Sequence, residues 1–160
     1  MVQHRCRHGA EGTDVRPMGV QRQRDRWPWL WPCIQLWPTD GKWPQHIELD
    51  NFESPFDGKR LRGLATIHYA PNNLQKSTEY DADFNQPHIW VVEWRPNAYV
   101  IYFDSKQIVN VTDKTLIPTT PHHFVAQTDM GSWADVPTSK EPTHIELALD
   151  YVKQWSYLGS

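Results

Sequence analysis

The stretch WPQHIELDNFES, residues 43–54, gathers three acids, Glu48, Asp50 and Glu53, on one short segment with the composition of a β-strand. Side chains of a regular strand alternate between its faces, so Glu48 and Asp50 share a face and Glu53, at an odd offset, points away. One extra residue around Asn51 and Phe52, accommodated as a β-bulge, brings all three acids to one face, and bulges are frequent beside active sites. A solvated acidic face is the alternative, but crowded like charges disfavour it. The stretch therefore predicts a bulged strand with a functional acidic face.

Similar runs, rich in β-branched and aromatic residues and separated by Pro, Asn, Asp and Gly, fill the chain from residue 27 onward. The predicted strands are PCIQLW (32–37), HIELDNFE (46–53), LRGLATIHY (61–69), HIWVVEW (88–94), AYVIYFD (98–104), KQIVNV (106–111), HHFVAQTD (122–129) and THIELALDYVKQWSY (143–157). The links RPNA and DSK are typical of hairpin turns. The pattern predicts an all-β sandwich.

Composition is that of one globular domain, with 160 residues and 39% apolar content. The nine Trp are unusual, and they suit either a core or the stacking of indole rings on sugar rings. Only Cys6 and Cys33 occur, without a pairing framework or CxxC motif, so neither a disulfide scaffold nor a zinc ribbon is indicated. No run approaches the ~18 apolar residues of a membrane span.

The composition changes near residue 27. Residues 1–26 contain no Ile, Leu, Phe, Tyr or Trp, and the first 30 residues hold six Arg against three acids. Such a segment buries too little apolar surface to offset its ordering entropy, so we expect residues 1–26 to be a disordered or adventitious basic segment and residues 27–160 to be the domain. Because the net charge is −3, the residues after 30 carry −6, which argues against nucleic-acid binding by the domain. A nucleic-acid or anionic-surface arm is the alternative for the basic segment, and its lack of interleaved aromatic residues disfavours it. The start of the chain shows no signal-peptide pattern.

The run WPCIQLWPTDGKWPQHIELDNFE resembles the catalytic region of glycoside hydrolase family 16, whose bulged members carry E-x-D-x-x-E. The resemblance extends over about residues 31–157, through TIHYAPNN, DFNQPHIWVVEWRPNAYVIYFDSKQI, HHFVAQTDMGSW and ELALDYVKQWSY. It implies a jelly-roll, concanavalin A-like sandwich with an open cleft, of which this chain is expected to lack N-terminal strands.

The resemblance also implies a retaining, endo-acting hydrolase of a β-linked polysaccharide, with β-1,3-glucan as the default. Glu48 is then the nucleophile, Glu53 the general acid and base, and Asp50 the residue that tunes the nucleophile. One carboxyl must be ionised to attack while its neighbour keeps a proton for the leaving oxygen, which is chemistry that a crowded pair of acids suits.

Four further positions match family residues near the cleft and are candidate substrate contacts: Trp43, His68, His88 and Trp133. For Trp43 a core role is an equal alternative, and a lone strand histidine is more often structural. Glu93 is expected to be structural. Some family members hold a structural calcium for which Asp150 is the candidate, but no metal or other cofactor is predicted.

Two positions depart from the family pattern: Ile47 stands where the family has Gly, and Gln35 where it has Trp. These departures and the expected missing strands keep a second hypothesis open, a non-catalytic carbohydrate-binding or adsorption protein of a phage or cell surface. The expected partner in both cases is a polysaccharide, with no nucleic acid or membrane, and the chain is a monomer or part of a larger assembly. Extracellular or virion-associated placement is implied by resemblance alone.

Overall fold

The computed structural model describes residues 9–17, 30–54, 60–130 and 147–157. Within these residues the chain forms ten strands in two five-stranded antiparallel sheets, which confirms the predicted all-β sandwich. The strands are β1 (Gly9–Pro17), β2 (Leu30–Pro38), β3 (Glu48–Glu53), β4 (Arg62–Tyr69), β5 (Leu74–Asp81), β6 (Trp90–Arg95), β7 (Ala98–Phe103), β8 (Lys106–Val111), β9 (His122–Met130) and β10 (Leu149–Tyr157), and a 3₁₀ turn spans Lys114–Leu116. In the part of the chain that the structure describes, no helix is long and apolar enough to cross a membrane.

Strand order places the acidic strand at the centre of its sheet. The front sheet has the order β5-β4-β3-β2-β9, and the back sheet has the order β10-β1-β6-β7-β8. Both flanks of β3 are therefore hydrogen-bonded to neighbours. A central strand is held more rigidly than an edge strand, so β3 is a suitable support for side chains that must keep a fixed geometry.

The core lies between the two sheets. Ile34, Leu49 and Ile67 enter it from the front sheet, and Val92 and Ile101 enter it from the back sheet, all with less than 5% of their surface exposed. Fully burying one side chain of this size stabilises the fold by about 1.5–3 kcal/mol. Since alternate residues of β2, β3 and β4 are committed to this core, the residues between them are left for the outer face of the front sheet.

Both predicted hairpin turns are present. Arg95 pairs with Ala98 across a two-residue turn, and Phe103 pairs with Lys106 across Asp104 and Ser105. Asp104 and Ser105 have φ values of 47° and 71°. Positive φ at both central residues is the signature of the turn that matches the twist of hairpin strands.

Two strands lie where the sequence did not predict them. β5, LQKSTEYD, is an edge strand of the front sheet with mostly exposed side chains, so it lacks the apolar alternation that predicts a strand. β1 lies inside the segment that we expected to be disordered, and there the structure differs from the expectation. Its backbone pairs with β10 and β6, and such pairing needs no apolar side chains from the segment itself. The rest of residues 1–26 lies outside the described residues.

Candidate active site

The predicted bulge is present in β3. On one side Ile34 pairs with Phe52 and the next residue of β2 pairs with Asp50, so Asn51 is the extra residue. On the other side, three steps of β3 from Asp50 to Glu53 face only two steps of β4. The bulge restores the phase, so Glu48, Asp50 and Glu53 all lie on the outer face while Leu49 and Phe52 enter the core.

Two tyrosines hold the bulge from the core side. The Tyr99 hydroxyl donates a short hydrogen bond to Asn51 Oδ1, and the Tyr80 hydroxyl contacts the Asn51 carbonyl oxygen at 3.4 Å. Asn51 is 2% exposed, and an unpaired amide there would carry a desolvation penalty. The bulge is thus fixed by specific bonds from the core and from the back sheet.

Glu48 receives a hydrogen bond on each carboxylate oxygen. The indole Nε1 of Trp43 donates to Oε2 at 2.6 Å. In the amide orientation that satisfies its hydrogen bonding, Gln35 Nε2 donates to Oε1 at 3.1 Å. Burial raises the pKa of Glu48 above its usual value, and the nearby charge of His68 and the bond from Trp43 oppose that rise.

Asp50 and His68 form a buried ion pair. His68 Nε2 lies 3.0 Å from Asp50 Oδ2, and His68 Nδ1 lies 2.6 Å from Asn73 Oδ1. Burial raises the pKa of Asp50 to about 6. Burial alone would lower the pKa of His68, but the hydrogen bonds to Asp50 and Asn73 and the charges of Asp50 and Glu48 raise it to about 9. At neutral pH the carboxylate is therefore ionised and the imidazole protonated.

Glu53 has a different environment. Burial and then the charge of Asp50 raise the pKa of Glu53 to about 7, and a hydrogen bond from the Thr66 hydroxyl only partly offsets this. A carboxyl that still holds its proton near neutrality is suited to act as a general acid.

Beneath the acids, the Cys33 thiol lies 3.6 Å from Asp50 Oδ1. Burial, and then the charge of Asp50, raises the pKa of that thiol.

The acids lie in a cleft of about 530 Å³ on the outer face of the front sheet. Its lining comprises Trp31, Gln35, Trp37, Trp43, Glu48, Asp50, Glu53, His68, Asn73, His123, Val125 and Gln127. Trp37 and Trp43 are stacked with ring centroids 6.4 Å apart and planes 12° apart. A cleft with ionisable groups at its floor and aromatic rings at its side has the character of a carbohydrate site.

The structure brings together five of the seven residues predicted for the site: Glu48, Asp50, Glu53, Trp43 and His68. Sequence reasoning missed the alternate cleft residues of β2, Trp31 and Trp37, although the period-two pattern around Gln35 was a readable signal. It also missed Asn73, whose position depends on the turn between β4 and β5.

His88 is not in the cleft, so its predicted substrate contact is corrected. It precedes β6 of the back sheet, where Nδ1 lies 2.7 Å from Asp104 Oδ2 and Nε2 lies 2.9 Å from the Asp83 carbonyl oxygen. Its ring packs on Phe103 with centroids 4.7 Å apart. These contacts explain His88 as a structural residue. Trp133 lies outside the described residues.

Two other positions singled out in the sequence lie away from the cleft. Glu93 pairs with Arg95 at 3.1 Å on β6, in keeping with a structural role. Asp150, the family's calcium position, is exposed on β10.

One group in the cleft has the spacing of metal ligands. Glu48, Asp50 and His68 each offer a ligand atom, all within 4.8 Å of one another. His68 Nε2 already contacts Asp50 Oδ2, however, and its other nitrogen contacts Asn73. These contacts explain the group as an ion pair beside the acids. Activity in the presence of a chelator tests this interpretation.

No family model and no curated protein sequence matches the chain, but several solved structures have a similar fold. The endo-β-1,3-glucanase of Pyrococcus furiosus superposes with a TM-score of 0.76 at 18% identity, over 96% of this chain and 64% of that one. SCLam, a non-specific endo-β-1,3(4)-glucanase from family GH16, gives a TM-score of 0.63 at 21% identity, over 78% and 49%. An endo-acting O-glycanase of the human gut microbiota that initiates mucin breakdown gives 0.75 at 15% identity, over 94% and 58%.

The likeness confirms the resemblance to family 16 at the level of the fold, which is the jelly-roll sandwich of these glucanases. The chain spans less than two thirds of the length of each of these three proteins.

Proposed function

We propose that the chain is a retaining, endo-acting glycoside hydrolase that cleaves a β-linked polysaccharide, with β-1,3-glucan as the default substrate. The observation that carries the proposal is the bulged β3, which sets Glu48, Asp50 and Glu53 side by side at the floor of an open cleft. The glucanases with the same fold support the choice of substrate class.

The environments of the two glutamates support their roles. Glu48 accepts N–H bonds on both oxygens and lies near the protonated His68, and all three features favour its ionised form. Glu53, with a pKa of about 7, keeps a proton in the same pH range. Two acids whose environments separate their protonation states suit the nucleophile and the acid of a double displacement.

In the first step a Glu48 oxygen attacks the anomeric carbon, the Glu53 proton passes to the glycosidic oxygen, and the bond to the leaving sugar breaks. In the second step Glu53, now a base, takes a proton from water, and the resulting hydroxide oxygen attacks the anomeric carbon and releases Glu48. Each step inverts the carbon, so the product retains its configuration. Asp50, held ionised by His68, keeps a negative charge beside both glutamates, and this charge discourages Glu53 from losing its proton early.

The test measures reducing-sugar release from β-1,3-glucan, mixed-linkage β-glucan, galactans and mucin O-glycans. We expect release by the wild type at pH near 6, and a loss of about 10³-fold or more in Glu48→Gln and Glu53→Gln, because each removes a group that acts in both steps. Glu93→Gln, at an acid of β6 outside the cleft, is the matched control and should keep wild-type activity.

Product configuration, read by proton NMR in the first minutes of reaction, tests the retaining mechanism. Appearance of the inverted anomer would contradict it. Binding of a glycan by the wild type without any cleavage would instead favour the carbohydrate-binding alternative, in which the stacked Trp37 and Trp43 supply recognition.

A further inference from the structure

Gln35 lies at the centre of the floor of the cleft. It pairs with Asp50 on one side and with Val125 on the other, and only 6% of its surface is exposed. In the amide orientation that satisfies its hydrogen bonding, the Gln35 nitrogen lies 3.1 Å from Glu48 Oε1 and 3.0 Å from Asp50 Oδ1, so one side chain donates to both carboxylates. At this position the sequence departs from the family pattern that it resembles, which has Trp.

With the bond from Gln35, both carboxylate oxygens of Glu48 accept a hydrogen bond. Trp43 Nε1 donates to Oε2 at 2.6 Å, and Gln35 Nε2 donates to Oε1 at 3.1 Å. Carboxylates held by two N–H donors are oriented as well as stabilised in the charged form. Glu53 instead accepts a hydrogen bond from the Thr66 hydroxyl, so the two glutamates have different hydrogen-bond donors.

We propose that Gln35 is a positioning residue for the nucleophile, whose amide ties Glu48 to Asp50 and holds Glu48 oriented and ionised for attack. The inference deepens the proposed hydrolase function and rests on it for the kinetic consequence. The bond geometry itself does not depend on which glycan enters the cleft.

Other groups also act on Glu48, and the test must leave them in place. The titratable groups that face it are Cys33 from β2, Asp50 and Glu53 from its own strand, His68 from β4 and His123 from β9. Gln35→Met keeps all five of these residues, and besides the bond to Glu48 it removes the contacts of the amide with Asp50 and Cys33. It keeps the length and the unbranched shape of the side chain while removing its N–H donors.

The first measurement is a carbon-13 NMR titration of labelled glutamate carboxyls, with the Glu48 signal assigned by its absence in Glu48→Gln. We expect Gln35→Met to raise the pKa of Glu48 by about 1 unit, since the variant loses an N–H bond that favours the charged form of the carboxyl. Gln127→Met removes an amide from the same cleft and is the matched control. In that variant we expect the Glu48 signal to titrate as in the wild type.

The second measurement is the pH dependence of kcat/KM on a glycan that the wild type cleaves. In Gln35→Met we expect the acid limb of the pH profile to lie about 1 pH unit higher than in the wild type. At pH values below that limb, kcat should fall about tenfold and KM should change less than about twofold. A residue that only fills space would lower activity by the same factor at every pH. It would not move the limb.

An unmoved Glu48 titration in folded Gln35→Met would overturn the inference. Should circular dichroism show that this variant is unfolded, Gln35→Leu replaces it, because Leu also lacks an N–H donor, and the same shift is expected. If the wild type cleaves no glycan but the Glu48 shift appears, the proposed hydrolase function fails while the hold of Gln35 on Glu48 stands.

Discussion

His68 supplies a pH-dependent part of the stability that can be worked out from its contacts. Its pKa rises from 6.5 to about 9 in the folded protein, where it lies 3.0 Å from Asp50 and is 6% exposed. A rise of that size corresponds to about 3 kcal/mol of folding free energy. Because the folded-state pKa is the higher one, the stabilisation is complete below pH 6.5 and is lost as the pH rises through 9.

The perturbation is His68→Gln, which keeps a hydrogen-bond donor but never carries a charge. Urea unfolding followed by circular dichroism should show that the wild type loses about 2 kcal/mol between about pH 7 and pH 9, and that the variant lacks this component. The raised pKa of the Cys33 thiol adds its own loss of stability at the upper end of the range, so the measured quantity is the difference between the two slopes. Salt at about 0.5 M should change that difference little, because a buried pair is screened weakly. Equal slopes in the two proteins would refute the buried ion pair.

Three further predictions concern the surroundings of the acids. Trp43→Phe keeps a ring but removes the indole N–H from Glu48, so kcat should fall about tenfold with a smaller change in KM, measured on the substrate found for the wild type. Tyr99→Phe leaves the buried Asn51 amide without its donor, so the free energy of unfolding in urea should fall by about 1–3 kcal/mol, and an unchanged value would contradict the role of that bond in the bulge. EDTA should leave activity unchanged, since His68 and Asp50 are satisfied by each other, and a loss restored by a divalent cation would show that the Glu48, Asp50 and His68 group holds a metal.

Much of the fold could be predicted because most strands are half buried. All eight predicted runs overlap a strand of the structure, and the alternation of core and cleft residues in β3 and β4 is visible in the sequence. β5 escaped prediction because an edge strand with polar side chains carries no alternation for sequence reasoning to find. β1 escaped because its pairing is a backbone contact with β6 and β10, which lie far away in the chain.

The acids of the site could be predicted because the face on which a strand side chain lies follows from its position, since side chains alternate with a period of two. An odd offset between Asp50 and Glu53 requires an extra residue if both are to face the cleft, and the pairing with β2 shows that this residue is Asn51. The neighbours of the acids come from other strands, so their identity depends on register. His88 illustrates the limit: it precedes β6 in the back sheet, and no local pattern reveals that its ring turns toward Phe103 rather than toward the cleft.

The two departures from the family pattern lie beside the acids, and the structure accounts for each in a different way. Ile47, directly before Glu48, has a φ of 60°, a left-handed conformation that costs a β-branched residue about 1–2 kcal/mol. Its side chain is 7% exposed in the core, and burial of that kind stabilises by about 1.5–3 kcal/mol. The carbonyl oxygen of Ile47 also accepts a bond from His122 Nε2 at 2.8 Å. Burial thus offsets the strain at Ile47 and leaves the backbone turn into β3 in place, whereas Gln35 places an amide donor between the acids themselves. The first departure therefore concerns stability and the second concerns chemistry, so substitution of Ile47 should change unfolding more than the pH profile, and substitution of Gln35 should do the reverse.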